Sequence, residues 1–132
     1  MFELDTRLNN DCEVIAQWPL CSVLLMNESR YPWFILVPRI PDMREIVQLN
    51  NEQQAQLQQE SNQLSHFLLE GLSADKLNVA ALGNMVPQLH IHHIARYETD
   101  EAWPAPVWGK FPAKAYSDAA LAEIKKQFTE YF

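Results

Sequence analysis

Gln88-Leu89-His90-Ile91-His92-His93-Ile94, preceded by Gly83-Asn84-Met85-Val86-Pro87, holds three of the four histidines of the chain. The β-branched Ile91 and Ile94 favour a strand, and side chains of a strand alternate between its faces. That alternation predicts Gln88, His90 and His92 on one face and Leu89, Ile91 and His93 on the other. A row of Gln, His and His costs free energy if it is simply buried. It makes sense where the polar face lines a pocket in which imidazoles do chemistry.

Outward from this strand the chain predicts one domain over residues 1–132. Cys12–Leu20 and Cys21–Met26 read as strands, with Asn27-Glu28-Ser29 a turn. Trp33–Pro38, WFILVP, is a continuous apolar run suited to the centre of a sheet, and its short spacing from the preceding strand favours an antiparallel hairpin. Pro38 and Pro41 stop it. Glu45–Leu49 reads as a short extended piece. Asn50 or Asn51, with Gln53 or Gln54 three residues on, caps a long helix over 51–71. Leu57, Leu64, Phe67 and Leu68 form its apolar stripe, and Gly71 ends it. Leu77–Leu82 is a fourth strand, and the histidine strand runs from Pro87 to about Tyr97. Trp103–Gly109 carries too much proline for helix or central strand and reads as an ordered loop or arm. Ser117 caps a final helix to Tyr131 along Leu121, Ile124 and Phe128. Residues 1–11 hold at most a turn of helix near Thr6–Leu8. The pattern is α+β, an antiparallel sheet of about five strands with one long helix and a C-terminal helix.

Composition narrows the function classes. Hydrophobic residues make up 48% of the chain and charged residues 20%. That balance suits a packed core rather than disorder. The net charge is −7 and no Lys/Arg cluster occurs, which argues against a nucleic-acid partner. Cys12 and Cys21 lie outside any metal or redox spacing and read as reduced core residues. No apolar stretch approaches the ~20 residues of a membrane span, and no basic-then-apolar leader is visible. A cytoplasmic enzyme or binding protein is the expectation.

Three chemistries fit the histidines. They can be satisfied polar residues without a task. His90 and His92, at i and i+2, can ligate zinc or iron, although no acidic residue lies in the strand and His66 sits on the helix. Or a neutral imidazole attacks phosphorus, which needs one ring nitrogen free, the other held by an acceptor, and donors for the phosphate oxygens.

The stretch resembles the histidine triad motif, His-x-His-x-His-x-x with apolar x, and the order of elements resembles that superfamily over nearly the whole chain. VPQLHIHHIAR is most similar to a bacterial, diadenosine tetraphosphate hydrolase-like branch with Gln at the first triad position. The resemblance implies a nucleotide hydrolase or transferase acting through a nucleotidyl-histidine. It places His90 at the nucleophile, His92 at the third, phosphate-contacting position and Gln88 at the first. It places Gly83-Asn84-Met85 in the loop that contacts phosphates and leaving group, and Asn27 against the ribose. It implies a nucleotide substrate, no protein-bound metal or other cofactor beyond magnesium carried by a polyphosphate, and a homodimer reached by the Trp103–Gly109 segment. Gln88 keeps a donor and an acceptor but cannot titrate, Met85 replaces a hydroxyl residue, and His93 stands where the family prefers an apolar residue. A non-catalytic nucleotide-binding or interaction protein on the same fold is the alternative. Arg39 and Arg96 could reach a phosphate but read better as surface residues. Trp33 and Phe34 could stack a base but read better as core.

Overall fold

The computed structural model describes all 132 residues, Met1–Phe132. Helix α1 spans Thr6–Asp11, and strands β1 and β2 span Cys12–Gln17 and Cys21–Met26. Strand β3 is Trp33–Pro38, helix α2 Asn51–His66, strand β4 Lys76–Ala81, strand β5 Ile91–Arg96 and helix α3 Asp118–Tyr131. The strands form one sheet in the order β1-β2-β3-β5-β4, every neighbouring pair antiparallel. The apolar β3 run is therefore the central strand, and all six of its residues are buried.

Helices α2 and α3 cover one face. Asn50 caps α2 reciprocally with Gln53, so two orphan backbone donors are met at the helix start. The helix then widens into a π turn over Phe67–Gly71. Gly71 must be small there, because a Cβ would come within 2.8 Å of the Phe67 ring. Phe34 of β3, Phe67 and Phe128 of α3 interlock at centroid separations of 5.4–5.9 Å. Glu60, fully buried on α2, accepts from the backbone N–H groups of Leu20 and Cys21 and from the Gln56 amide, tying the helix to the β1–β2 turn.

The other face is thinner. Leu8 of α1, Tyr31, Trp33, Ile35, Ile94, Ala102 and Val107 pack there in a smaller cluster. The Trp103–Gly109 segment folds back over this face of its own chain. Arg96 fixes it: buried beneath the segment, its guanidinium binds Asp100 twice, the Asn78 amide oxygen and the Ala105 carbonyl. No helix is long and apolar enough to cross a membrane.

Three sequence expectations need correction. Glu45–Leu49 is not extended; Ile46–Gln48 forms a 3₁₀ turn closed by reciprocal bonds between Glu45 and Gln48. The histidine strand begins at Ile91, not Pro87. Arg96 is not a surface residue but 2% exposed, with its charge neutralised by Asp100. Arg39 does not reach the histidines either, since it donates to the carbonyls of Trp18 and Pro19.

Candidate active site

Because β5 is regular from Ile91, alternation turns its side chains to opposite faces. His92, Ile94 and Arg96 face the thin side of the sheet, and Ile91, His93 and Ala95 face α2. His93 is fully buried there. Its Nδ1–H donates to the Ile91 carbonyl at 3.1 Å, leaving Nε2 to accept from the Ser61 hydroxyl at 2.7 Å. A carbonyl only accepts, which settles the roles of the two ring nitrogens. This third histidine pins α2 to the back of the strand, and burial holds its pKa down at about 4 against the pull of the Ile91 carbonyl.

On the thin side, His90 and His92 stand with ring centroids 4.8 Å apart. His90 lies just before β5, and its Nδ1 is 2.7 Å from the Gln88 carbonyl. By the same rule Nδ1 carries the hydrogen and Nε2 keeps a lone pair. That second nitrogen makes no protein hydrogen bond. For His92 the arrangement is reversed. The Trp33 indole N–H donates to His92 Nδ1 at 3.0 Å, so the hydrogen of this ring sits on Nε2. Burial lowers the His92 pKa to about 4; the neighbouring His90 and His93 rings act in the same sense, and the Leu82 carbonyl opposes them. His92 is therefore neutral at physiological pH. One imidazole offers a lone pair and the next an N–H, within one cleft.

That cleft has a volume of about 460 Å³, within the range of small-molecule sites. Leu8, Cys12, Met26, Ile35, Leu82 and Val86 give it apolar walls, with Trp33 and Trp108 as aromatic ones. Its polar groups are His90, His92, Asn84 and Asp11. No Lys or Arg side chain lines it. The Trp108 ring stands edge-on to both Trp33 and His92, at 6.0 and 5.3 Å. Burial and the charge of Asp11 push the Cys12 thiol up to about 12, which makes it a wall and not a nucleophile. Nowhere do three or more His, Cys, Asp or Glu side chains come together in a way that could hold a metal ion.

The residues singled out in the sequence divide here. His90, His92, Asn84 and Met85 line the cleft together. Gln88 does not. Its carboxamide lies on the outer side of the loop, where Oε1 accepts from the Asp5 N–H and Nε2 donates to the Glu3 carbonyl, each at 2.8 Å. Strict alternation fails because Gln88 precedes the strand; only its backbone carbonyl serves the site. Asn27 is also outside the cleft, with its Oδ1 accepting from the Tyr116 N–H. Gly83 lines a neighbouring depression with Arg44, Glu45, Gln48 and Pro87. Its contribution is steric: a Cβ would press to 2.9 Å from the Val86 carbonyl and force the loop open. Sequence reasoning misses Asp11, Cys12, Met26 and Ile35 as cleft residues. Nothing marks them locally, because they reach the site through α1 and the pairing of three strands. Trp33, which the sequence reads as core, is buried and lines the cleft as well, and Trp108 joins it from the proline-rich segment.

Residues 7–99 match the family model described as the HIT domain. The chain belongs to the HIT family. Three solved structures described as histidine triad proteins share its whole architecture at a TM-score of 0.96. The one from Marinobacter aquaeolei VT8 is 51% identical, over 99% of this chain and 96% of that one. The one from Bradyrhizobium japonicum is 44% identical over 98% and 97%, and the one from Sinorhizobium meliloti 1021 is 40% identical over 99% and 97%. Among curated proteins none matches. In this HIT protein Gln88 holds the N-terminal arm outside the cleft, while His90 and His92 turn complementary ring nitrogens toward a shared space.

Proposed function

We propose that this HIT protein is a nucleotidyl hydrolase or transferase that works through a nucleotidyl-His90 intermediate. The observation that carries the reading is the free Nε2 of His90, with Nδ1–H held by the Gln88 carbonyl. The Nε2 lone pair attacks the α-phosphorus, the Nε2–P bond forms, and the bond from phosphorus to the leaving group breaks. The ring carries the resulting positive charge, spread toward Nδ1–H and the Gln88 carbonyl. The leaving group takes its proton from solvent. His92 Nε2–H and the Asn84 side of the loop meet the phosphoryl oxygens. Water then attacks phosphorus, the P–N bond breaks, and a nucleoside monophosphate leaves with His90 restored. The nucleoside lies along the apolar and aromatic walls.

The cleft also argues for the kind of leaving group. Asp11 is its one charged side chain. A polyphosphate would bring several more negative charges beside it without a cation to meet them, whereas an amine or alcohol leaving group brings none. A nucleoside phosphoramidate or simple phosphodiester is therefore the better substrate, and a diadenosine polyphosphate needs its magnesium. The test compares adenosine phosphoramidate with diadenosine tetraphosphate, with and without magnesium, for wild type and His90→Ala. We expect monophosphate release from the phosphoramidate by wild type only, and slower cleavage of the tetraphosphate that magnesium improves. Tight binding of adenosine monophosphate with no turnover of either compound would instead make the protein a nucleotide-binding member of the family.

A homodimer belongs to the same proposal. The outer edge of β4 is unpaired over six residues in regular register with β5, and Val79 stands 48% exposed on it. An open, regular edge of this kind is what a second copy would require.

A further inference from the structure

The contact between Trp33 and His92 does more than fill space. Trp33 opens β3, paired with Ile94 of β5, which sets it diagonally beside His92 on the cleft face. Its ring is fixed on two sides, by Tyr31 at 6.4 Å and by the edge of Trp108 at 6.0 Å. Both Trp33 and His92 are buried, at 8% and 7% exposure. The indole can only donate, and the bond to His92 Nδ1 is 3.0 Å long.

We infer that Trp33 is a positioning residue of this site, whose indole N–H holds His92 in the Nε2–H form and so makes it a hydrogen-bond donor, never an acceptor, toward a group held at His90. Were His92 to carry its hydrogen on Nδ1, its Nε2 lone pair would face the phosphoryl oxygens and repel them. The titratable groups around the ring are His90 and His93 on its own segment, with Asp11 and Cys12 across the cleft. None of these stands in for the indole as a donor to Nδ1: the Nδ1–H groups of His90 and His93 serve backbone carbonyls, and the Cys12 thiol is turned to Met26 Sδ. The Leu82 carbonyl only accepts, so it works with the indole in favouring Nε2–H and must yield that hydrogen to a phosphoryl oxygen. The catalytic meaning of the inference rests on the function proposed above; its structural content does not.

The imidazole nitrogens of ¹⁵N-labelled wild-type protein decide the first part by NMR. His92 should show hydrogen on Nε2 and none on Nδ1. Trp33→Phe keeps an apolar ring and removes the donor. A hydrogen bond to the neutral form resists protonation, so the His92 titration midpoint should rise by roughly one pH unit in this variant. On adenosine phosphoramidate its kcat should fall by about tenfold or more, as when a transition-state donor is lost, with KM changed far less. A wild-type His92 carrying its hydrogen on Nδ1 overturns the inference. So does a folded Trp33→Phe whose His92 resonances and titration match wild type, or whose kcat is unchanged. If wild type turns over nothing, the proposed function fails, and the tautomer and titration still decide the role of Trp33.

Discussion

His93 and His92 are imidazoles that the fold keeps neutral, and that has a consequence for stability. Burial holds each near a pKa of about 4, against an ordinary value of 6.5 that each would recover in an unfolded chain. Between those values the unfolded chain binds protons that the folded chain refuses, so stability falls as pH drops through this window. The loss begins a little above pH 6.5 and is complete below about 4. Each ring contributes on the order of 3 kcal/mol at full effect, a large share of the roughly 5–15 kcal/mol typical of a domain. Asp100 acts in the same direction but lower. Burial raises its carboxyl, yet Arg96 and the N–H groups of Tyr97 and Ala102 outweigh this and hold it below the ordinary value, so its contribution is lost only in stronger acid. Urea midpoints measured from about pH 7.5 to about 4.5 should therefore drop steadily, with most of the drop below about pH 6.5. A flat profile would mean that these two histidines protonate without hindrance in the native state. Ser61→Ala removes the donor to His93 Nε2. That loss should cost about 1–2 kcal/mol near neutral pH, and because the bond is made to the neutral ring it should also make the fall toward acid shallower.

The two edge strands differ in how they are finished. On β1 the register shifts between Val14 and Ala16, and Glu13 is tied to Lys125 of α3 at 2.8 Å. That edge is bent and charged, which discourages pairing. On β4 the register is regular, and its one charge, Lys76, stands at the first residue and leaves the rest of the edge uncharged. Val79→Lys should therefore leave the fold intact and halve the mass seen by light scattering, if a second copy docks there; a wild-type chain that is already monomeric at all concentrations would remove the homodimer from the proposal. Elements of this kind also show where sequence reading succeeds. WFILVP has no polar residue to turn outward, so only the sheet centre suits it. The stripe through α2 survives its glutamines because Leu57 and Leu64 repeat at helical spacing. Ile46 and Val47 mislead because β-branched residues look extended, whereas here they are exposed and the Glu45–Gln48 pair decides the local backbone. Period-2 alternation rightly sets His90 and His92 on one face, and it fails for Gln88 because the strand starts three residues later. Arg96 is buried only because the segment carrying Asp100 and Ala105 folds back over it and Asn78 meets it from β4, a return that nothing in its local sequence pattern marks.

Across the whole molecule, the sheet divides a thick layer from a thin one, and the cleft lies in the thin one. The sixteen-residue cluster beneath α2 and α3 anchors the back of β3 and β5, while nine buried residues hold the cleft side. A rigid rear layer keeps His90 and Trp33 in place. The front wall depends on a few ties, chief among them Arg96 to the Ala105 carbonyl for the segment bearing Trp108, and Gln88 to Glu3 and Asp5 for the arm leading into α1. Asp5 also caps α1 through its side chain, and Arg7 reaches the Met85 carbonyl, so the arm and the loop brace each other. Local opening should be easiest where so few contacts act. Gln88→Ala removes two hydrogen bonds, each contributing about 1 kcal/mol, and leaves the large cluster untouched. Hydrogen exchange should then quicken across residues 3–11 and stay slow in β3 and β5. Adenosine monophosphate should bind several-fold more weakly, because Leu8, Asp11 and Cys12 no longer hold one wall. Unchanged exchange in the arm would show that α1 is held by its own packing, and that the carboxamide at the first triad position is dispensable to the cleft.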